Sequence, residues 1–425
     1  MTTARRPRPL RTIILSMLAR GTLTLVYALT VLVCRVTPAS RRWGAGLPAR
    51  IAVTGTFYNP GWFQAHMAPL IRSGVREVTV VSDRPLQELA GVCFSCPPPW
   101  LRHLTGRAVA KFVWLLVVAI RHRPDVFIGY HIFPGAVTAL IAARLFKRPA
   151  CYQMTGGPLE VLGGGWHAEN PVMGALASPS PLIERLAIAV IRRFDLVVVR
   201  GSKAKAFLMD RGVDRVAVIT GSVITPIDVP APAREYDLLF VGRLAAIKQP
   251  LQFVDTVARV RRRRPAVRAA VVGNGPLLDA ARERAALLGI GESIEFLGHS
   301  DDIGGILARA RLFILTSRSE GLSIAMAEAM AAGVVPIVAD VGDLSDFVVD
   351  GVTGFLVTPN DVDEFSRRAA LLLENEELWA RQSQAAAAAA GQHAGLEAVT
   401  RKWALGLAEL VPGHAHSPTT AEPGL

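Results

Sequence analysis

The stretch Leu312–Asp340, LFILTSRSEGLSIAMAEAMAAGVVPIVAD, constrains the fold more than any other part of the chain. It reads as an apolar run (312–316), a polar Ser/Gly loop (317–321), an Ala/Met-rich helix (322–332), Gly333, and a second apolar run (334–339). Strand, loop, helix, glycine stop and strand make one βαβ unit, and such sheets bind ligands outside the carboxyl ends of their strands. Two carboxylates belong to the unit. Glu320 lies in the loop where the helix begins, and Glu328 lies inside the helix. A helix starting at Glu320 would put the two about 80° apart round its axis and roughly two turns apart along it. Each carboxylate alone has an ordinary reading. A Glu in an Ala-rich helix is most often a solvated face residue, and a Glu near a helix N-terminus is favoured by the macrodipole.

Taken together, these residues resemble the Glu-x7-Glu signature of the family 4 retaining glycosyltransferases (glycosyl transferases group 1) of the GT-B fold. That signature runs S-x-x-E-G-x-x-x-x-x-x-E-A-M-A-x-G, with a proline two or three residues on. Ser317, Glu320, Gly321, Glu328, Ala329, Met330, Ala331 and Gly333 match it position by position, and Pro336 follows Gly333 by three. The resemblance implies an α/β fold with two Rossmann-like domains facing a central cleft. It covers about residues 50–410 and is strongest over 237–375. Further upstream, Gly242-Arg243 with Lys248 five residues on resembles the family's G-R-x-x-x-x-K element. The chemistry of that element is plain: glycine allows close backbone approach, arginine offers a planar fork, and lysine offers a point charge to one diphosphate.

The length of 425 residues exceeds what one hydrophobic core usually supports, so two domains are expected. The net charge of +12 is unevenly placed. Residues 1–76 hold eleven Arg and no acidic residue, which leaves 36 basic and 35 acidic groups in the rest of the chain. The globular body is therefore near neutral, which argues against a nucleic-acid partner. Arg-rich ends beside apolar sequence suit an anionic membrane surface. Residues 12–36 are mostly apolar but interrupted by Arg20, and read best as a monotopic or short inserted anchor, with a spanning helix or a signal peptide as alternatives. The four cysteines include Cys93-x-x-Cys96, but no second pair completes a zinc site. No metal site and no cofactor are expected.

The chain then divides as a basic N-terminal segment (1–49), an acceptor domain (50–225), a Pro-rich linker (226–235), a donor domain (236–390), a closing helix (391–411) and a disordered tail (412–425). The run KFVWLLVVAI (111–120) is too short to cross a bilayer and reads as a packed helix. The insertion at 162–181, rich in Gly, Pro and Ser, reads as a long mobile loop. In many members of the family a His stands in the loop after the strand at 150–154. Here Thr155-Gly156-Gly157 stands there instead, offering a hydroxyl and backbone N–H groups. His131, one strand earlier, reads as an ordinary loop residue. Val341-Gly342-Asp343-Leu344 departs from the family's usual G-G-x-P-E turn.

The resemblance implies a site in which Arg243 and Lys248 neutralise a diphosphate, Glu320 fixes sugar hydroxyls, and Glu328 accepts from ribose hydroxyls. Gly242, Gly321, Leu322 and Ser323 would line the phosphate and sugar, Gly273, Gly275 and His299 would lie near the base, and Thr155 and Gly156 would contact the donor. The activity implied is metal-independent, retaining transfer from a UDP- or GDP-sugar to a glycan or lipid-linked acceptor, at the cytosolic face of the plasma membrane. A nucleotide-sugar epimerase of the same shape and a non-catalytic nucleotide-sugar binder are the competing readings.

Overall fold

The computed structural model describes residues 10–37, 47–57, 60–168, 170–223 and 234–410. Most of the expected linker and all of the expected tail lie outside them. Two compact units emerge. Of the described residues, those within 1–199, 208–217 and 400–425 form the first, and those within 200–207 and 218–399 the second.

The first unit opens with α1 (Leu10–Val36), one unbroken helix running through Arg20. Seven strands follow: β1 (Arg50–Thr54), β2 (Glu77–Val81), β3 (Val92–Ser95), β4 (Val126–Tyr130), β5 (Ala150–Gln153), β6 (Leu196–Val199) and β7 (Val216–Val218). Between them run α2 (Pro60–Arg72), α3 (Pro99–Thr105), α4 (Arg107–His122), α5 (Val137–Leu145), α6 (Pro171–Gly174) and α7 (Pro181–Ile191); α8 (Ser202–Met209) follows β6 in sequence, its residues 202–207 counting with the second unit. The strand order is β3-β2-β1-β4-β5-β6-β7. Strands β4, β5 and β6 are buried at every position, as expected of parallel strands covered on both faces. The insertion at 162–181 differs from the mobile loop expected. Gly163 N donates to Glu184 Oε2 (2.8 Å), Ser180 N donates to Gly163 O (2.8 Å), and Asn170 caps α6. Met173 and Leu176 are buried, so the loop is packed in place.

The second unit holds β8 (Tyr236–Val241), α9 (Pro250–Arg263), β9 (Ala269–Val272), α10 (Leu278–Leu287), β10 (Ile294–Gly298), α11 (Ile303–Ala308), β11 (Ala310–Leu315), α12 (Ile324–Ala331), β12 (Val335–Ala339), β13 (Phe355–Val357), α13 (Val362–Glu374) and α14 (Glu376–Ala394). Its parallel sheet has the order β10-β9-β8-β11-β12-β13. Two cores sandwich it: one under α12 and α14 around Phe313, Met326 and Ala390, the other under α9 and α13 around Phe253, Val257 and Phe365. The position expected to separate donor domain from closing helix, 390–391, falls inside α14. The alanine run 385–390 carries the helix through Gly391 to Ala394, and the last helix, α15 (Leu396–Ala408), starts after Gly395.

Candidate active site

In the second sheet the chain winds from β8 outward to β9 on one side and from β11 outward to β12 on the other. Strands β8 and β11 are parallel neighbours, with Leu238 opposite Leu312 and Leu239 opposite Phe313. Their carboxyl ends therefore flank the switch point, where ligands of open α/β sheets bind. The loop after β8 carries Gly242, Arg243 and Lys248, and the loop after β11 carries Glu320 to Ser323. Lys248 Nζ donates to Glu320 Oε1 at 2.6 Å, with the two side chains 23% and 7% exposed. Further bonds hold these loops together independently of that ion pair. The buried Thr316 hydroxyl donates to the carbonyls of Lys248 (3.2 Å) and Gln249 (3.0 Å), and Arg318 N donates to Ile247 O (2.8 Å). Arg243 is exposed on the same loop. A Cβ at Gly242, at φ 157°, would find nothing closer than the Phe240 ring at 3.8 Å, an ordinary contact.

The helix after this loop starts later than expected. Ser323 caps it, its Oγ accepting from Met326 N (3.2 Å), so α12 begins at Ile324. Glu320 is therefore a loop residue, and Glu328 lies little more than one turn inside the helix. The Ser323 side chain is committed to this cap, while Leu322 is buried in the core. Gly321 lends its carbonyl to Asp343 N (3.0 Å). Glu328 is half-buried, and burial pushes its carboxyl up to about 7. No donor among the described residues bonds to that carboxylate.

Gly273 and Gly275 serve the packing of two turns. A Cβ on Gly273, at φ 128°, would stand 2.0 Å from Gly242 O, and one on Gly275 would stand 2.4 Å from Leu244 O. They let the turn after β9 lie directly on the loop that carries Arg243. His299 is exposed after edge strand β10, and its Nε2 lies 3.5 Å from Asp301 Oδ1. Among the described residues it makes no contact with the Lys248–Glu320 pair.

The first sheet has its own switch point between β1 and β4. Here the groups expected to face a ligand are turned to a carboxylate that the sequence reading missed. Glu160, buried, accepts from Thr155 N (3.0 Å), Gly156 N (2.5 Å), Ile132 N (3.0 Å), the Tyr152 hydroxyl (2.7 Å) and Thr155 Oγ1 (3.3 Å). His131 Nδ1 lies 3.3 Å from Glu160 Oε1 and 2.8 Å from Thr155 Oγ1. Burial alone would raise the Glu160 carboxyl, but His131, the Gly156 amide and the Tyr152 hydroxyl outweigh it and hold it at about 2. Because Tyr130 pairs opposite Gln153, the residues just past β4 and β5 are neighbours, which brings His131 beside Thr155. His131 adopts φ 58°, a region unfavourable to non-glycine residues, so its place is fixed by the surrounding bonds. The Trp62 ring lies nearly parallel to the His131 ring, with centroids 6.4 Å apart.

Asp343 and Gly342 were also missed as site-builders. Asp343 Oδ1 accepts from the Lys203 and Ala204 amides at the start of α8 (2.8 and 3.1 Å). A Cβ at Gly342, φ 56°, would meet Glu320 O at 2.0 Å, so this turn backs the Glu320 loop. Among the described residues no group of three or more His, Cys, Asp or Glu is placed to hold a metal ion.

The fold these two sheets define is the GT-B fold of glycosyltransferases. The chain is similar to Anabaena HepE solved with UDP-glucose, at a TM-score of 0.68 and 19% identity, covering 84% of this chain and 98% of that one. It is also similar to sucrose-phosphate synthase from Thermosynechococcus elongatus, at a TM-score of 0.65 and 15% identity, covering 83% and 96%. Residues 226–389, the segment that carries Arg243, Lys248, Glu320 and Glu328, match the family model "Glycosyl transferases group 1". Among curated relatives, the Vi polysaccharide biosynthesis protein VipC/TviE of Salmonella typhi is 39% identical over 117 residues, 28% of this chain and 20% of that protein. A D-inositol 3-phosphate glycosyltransferase of Nocardia farcinica is 36% identical over 162 residues, 36% of each chain. The chain thus spans well under half the length of the curated relatives it matches.

Proposed function

We propose that this protein moves a sugar from a UDP- or GDP-sugar to an envelope glycan or lipid-linked acceptor, with retention and without a metal ion. The observation that carries the reading is the Lys248–Glu320 pair at the switch point of the second sheet, with Arg243 on the same loop. Departure of a nucleoside diphosphate leaves negative charge on the β-phosphate, and the cations Arg243 and Lys248 would stabilise it as the sugar–oxygen bond breaks. Glu320, positioned by Lys248, accepts from sugar hydroxyls. Glu328 is a desolvated acceptor without a partner among the described residues, and ribose hydroxyls would supply the missing donors. The C1–O bond to phosphate breaks with its electron pair leaving on the phosphate oxygen. That oxygen takes the acceptor hydroxyl's proton, and the new C1–O bond forms on the same face. The UDP-glucose held by HepE supports a uridine donor, and the part played by VipC/TviE in polysaccharide biosynthesis supports a glycan acceptor.

The test is thermal stabilisation by a panel of nucleotide sugars, for wild type and for Arg243→Ala/Lys248→Ala. One donor at about 100 times its Kd stabilises by about 2.7 kcal/mol, and the double variant loses that gain. A panel that leaves the wild type unmoved refutes the transferase and the non-catalytic binder together. Release of an epimerised donor in the absence of acceptor would favour the epimerase.

A further inference from the structure

Helix α1 is apolar on all sides, yet the first unit covers only one of them. Ser16, Ala19, Leu23, Tyr27 and Thr30 are buried, at the three- and four-residue spacing of a helical seam. This side packs on α5 and α7. Polar bonds fix the pose: Ser16 Oγ accepts from Ala177 N (2.9 Å), and the Arg20 guanidinium donates to Ser178 O (3.1 Å) and Oγ (2.7 Å). The other side exposes Met17, Leu18, Leu25, Leu29, Leu32 and Val36, from 49% (Leu29) to 70% (Val36). A helix apolar all round needs an apolar partner on each side, and the protein supplies one.

We propose that α1 lies in the plane of an anionic bilayer surface, its outer side in the headgroup–acyl boundary and its inner side on the enzyme's own first unit. Charge complementarity selects lipid as the occupant. Arg11 and Arg35 are exposed at the two ends of the helix, and the first 76 residues hold eleven Arg and no acidic residue. The apolar side runs the whole length of a helix of 27 residues, about 40 Å, which suits a continuous surface. A spanning pose would strip the seam from α5 and α7, exposing Ser16 and Thr30 to lipid. It would also take Arg20 from Ser178 into the hydrocarbon, where an unpaired guanidinium is costly. The inner side also reaches the first-sheet site. The Tyr27 ring meets the Phe133 ring edge-on at 6.4 Å, two residues past His131. One helix therefore touches the membrane with one side and backs the loop carrying His131 with the other.

Flotation of the full chain with phosphatidylcholine vesicles containing about one third phosphatidylglycerol tests this. Wild type floats with these vesicles, and less of it floats with phosphatidylcholine alone. Leu18→Glu/Leu25→Glu/Leu32→Glu lowers the floating fraction at least about tenfold at an unchanged melting temperature. Should that variant not fold, Leu18→Ser/Leu25→Ser serves in its place, with a smaller loss. The control Leu287→Glu, at an exposed leucine of α10, floats like wild type. Wild type that stays in the dense fraction, or an outer-side variant that floats as well as wild type, overturns the proposal. So does an N-terminal tag that protease removes from intact spheroplasts of an expression host, since that places residues 1–9 across the membrane. Donor-induced thermal stabilisation, read separately, is the same in the variant, so failure of the transferase reading would leave this result standing.

Discussion

Replacing Glu328 by Gln turns its environment into a measurable stability. Burial raises the Glu328 carboxyl from 4.5 to about 7, so the folded state holds a proton that the unfolded chain has released. Between these values stability falls as pH rises, because the folded protein binds more protons than the unfolded one. At 1.36 kcal/mol per pKa unit the full cost above pH 7 is about 3.4 kcal/mol. Gln keeps the shape and carries no charge, so Glu328→Gln is more stable than wild type at pH 8 by up to about 3 kcal/mol. That advantage shrinks steadily as pH drops from 7 toward 4.5. At roughly 2–4 °C per kcal/mol for a unit of this size, calorimetry reads the difference directly. Donor binding runs the opposite way: ribose hydroxyls need the ionised carboxylate as acceptor, so affinity in the wild type weakens as pH falls below 7, and the variant binds weakly at every pH. A melting-temperature gap between variant and wild type that stays flat from pH 5 to pH 8 would refute the buried-carboxylate argument. The donor titration reports separately on the ribose role.

Glu320→Ala leaves the Thr316 hydroxyl and Arg318 N–H bonds intact, so the protein stays folded while sugar transfer falls at least about hundredfold; near-normal turnover would remove Glu320 from the site. Glu160→Gln places an amide NH2 against N–H and O–H donors. With the native carboxyl held at about 2, its stabilising effect, about 3 kcal/mol, is complete above pH 4.5 and is lost as pH falls through 2. The melting-temperature deficit of the variant at pH 7 therefore narrows between pH 4.5 and 2, and a deficit independent of pH would contradict the network. Gly273→Ala forces a Cβ to within 2.0 Å of Gly242 O at a positive φ, costing about 1–3 kcal/mol, whereas Gly291→Ala, with open space around it, is near neutral in the same unfolding assay.

Local pattern made much of this architecture readable, and distance hid the rest. Buried parallel strands are unbroken apolar runs, so β4, β9 and β12 stand out from the sequence alone. Lys248 and Glu320 were each singled out from local motifs in loops that follow strands, but the ion pair between them, across 72 residues, was not legible. The start of α12 was misplaced by two residues because the apolar Leu322 looked helical, although Ser323, three residues before Met326, carried the capping signal. Glu160 was not legible. Its partners come from the loops after β4 and β5 and from Tyr152, separations of 4 to 29 residues, and no periodicity links them. The same holds for Asp343 and Gly342, whose work is done against α8 and the Glu320 loop. Such groups share one trait: each satisfies backbone amides or abuts a backbone carbonyl, whatever side chains it also meets. Backbone groups are the same at every residue, so a sequence contains no letter for them. The residues expected to present chemistry to a ligand lie in motifs that the sequence displays; the residues that hold those loops in place became visible only once the chain was folded.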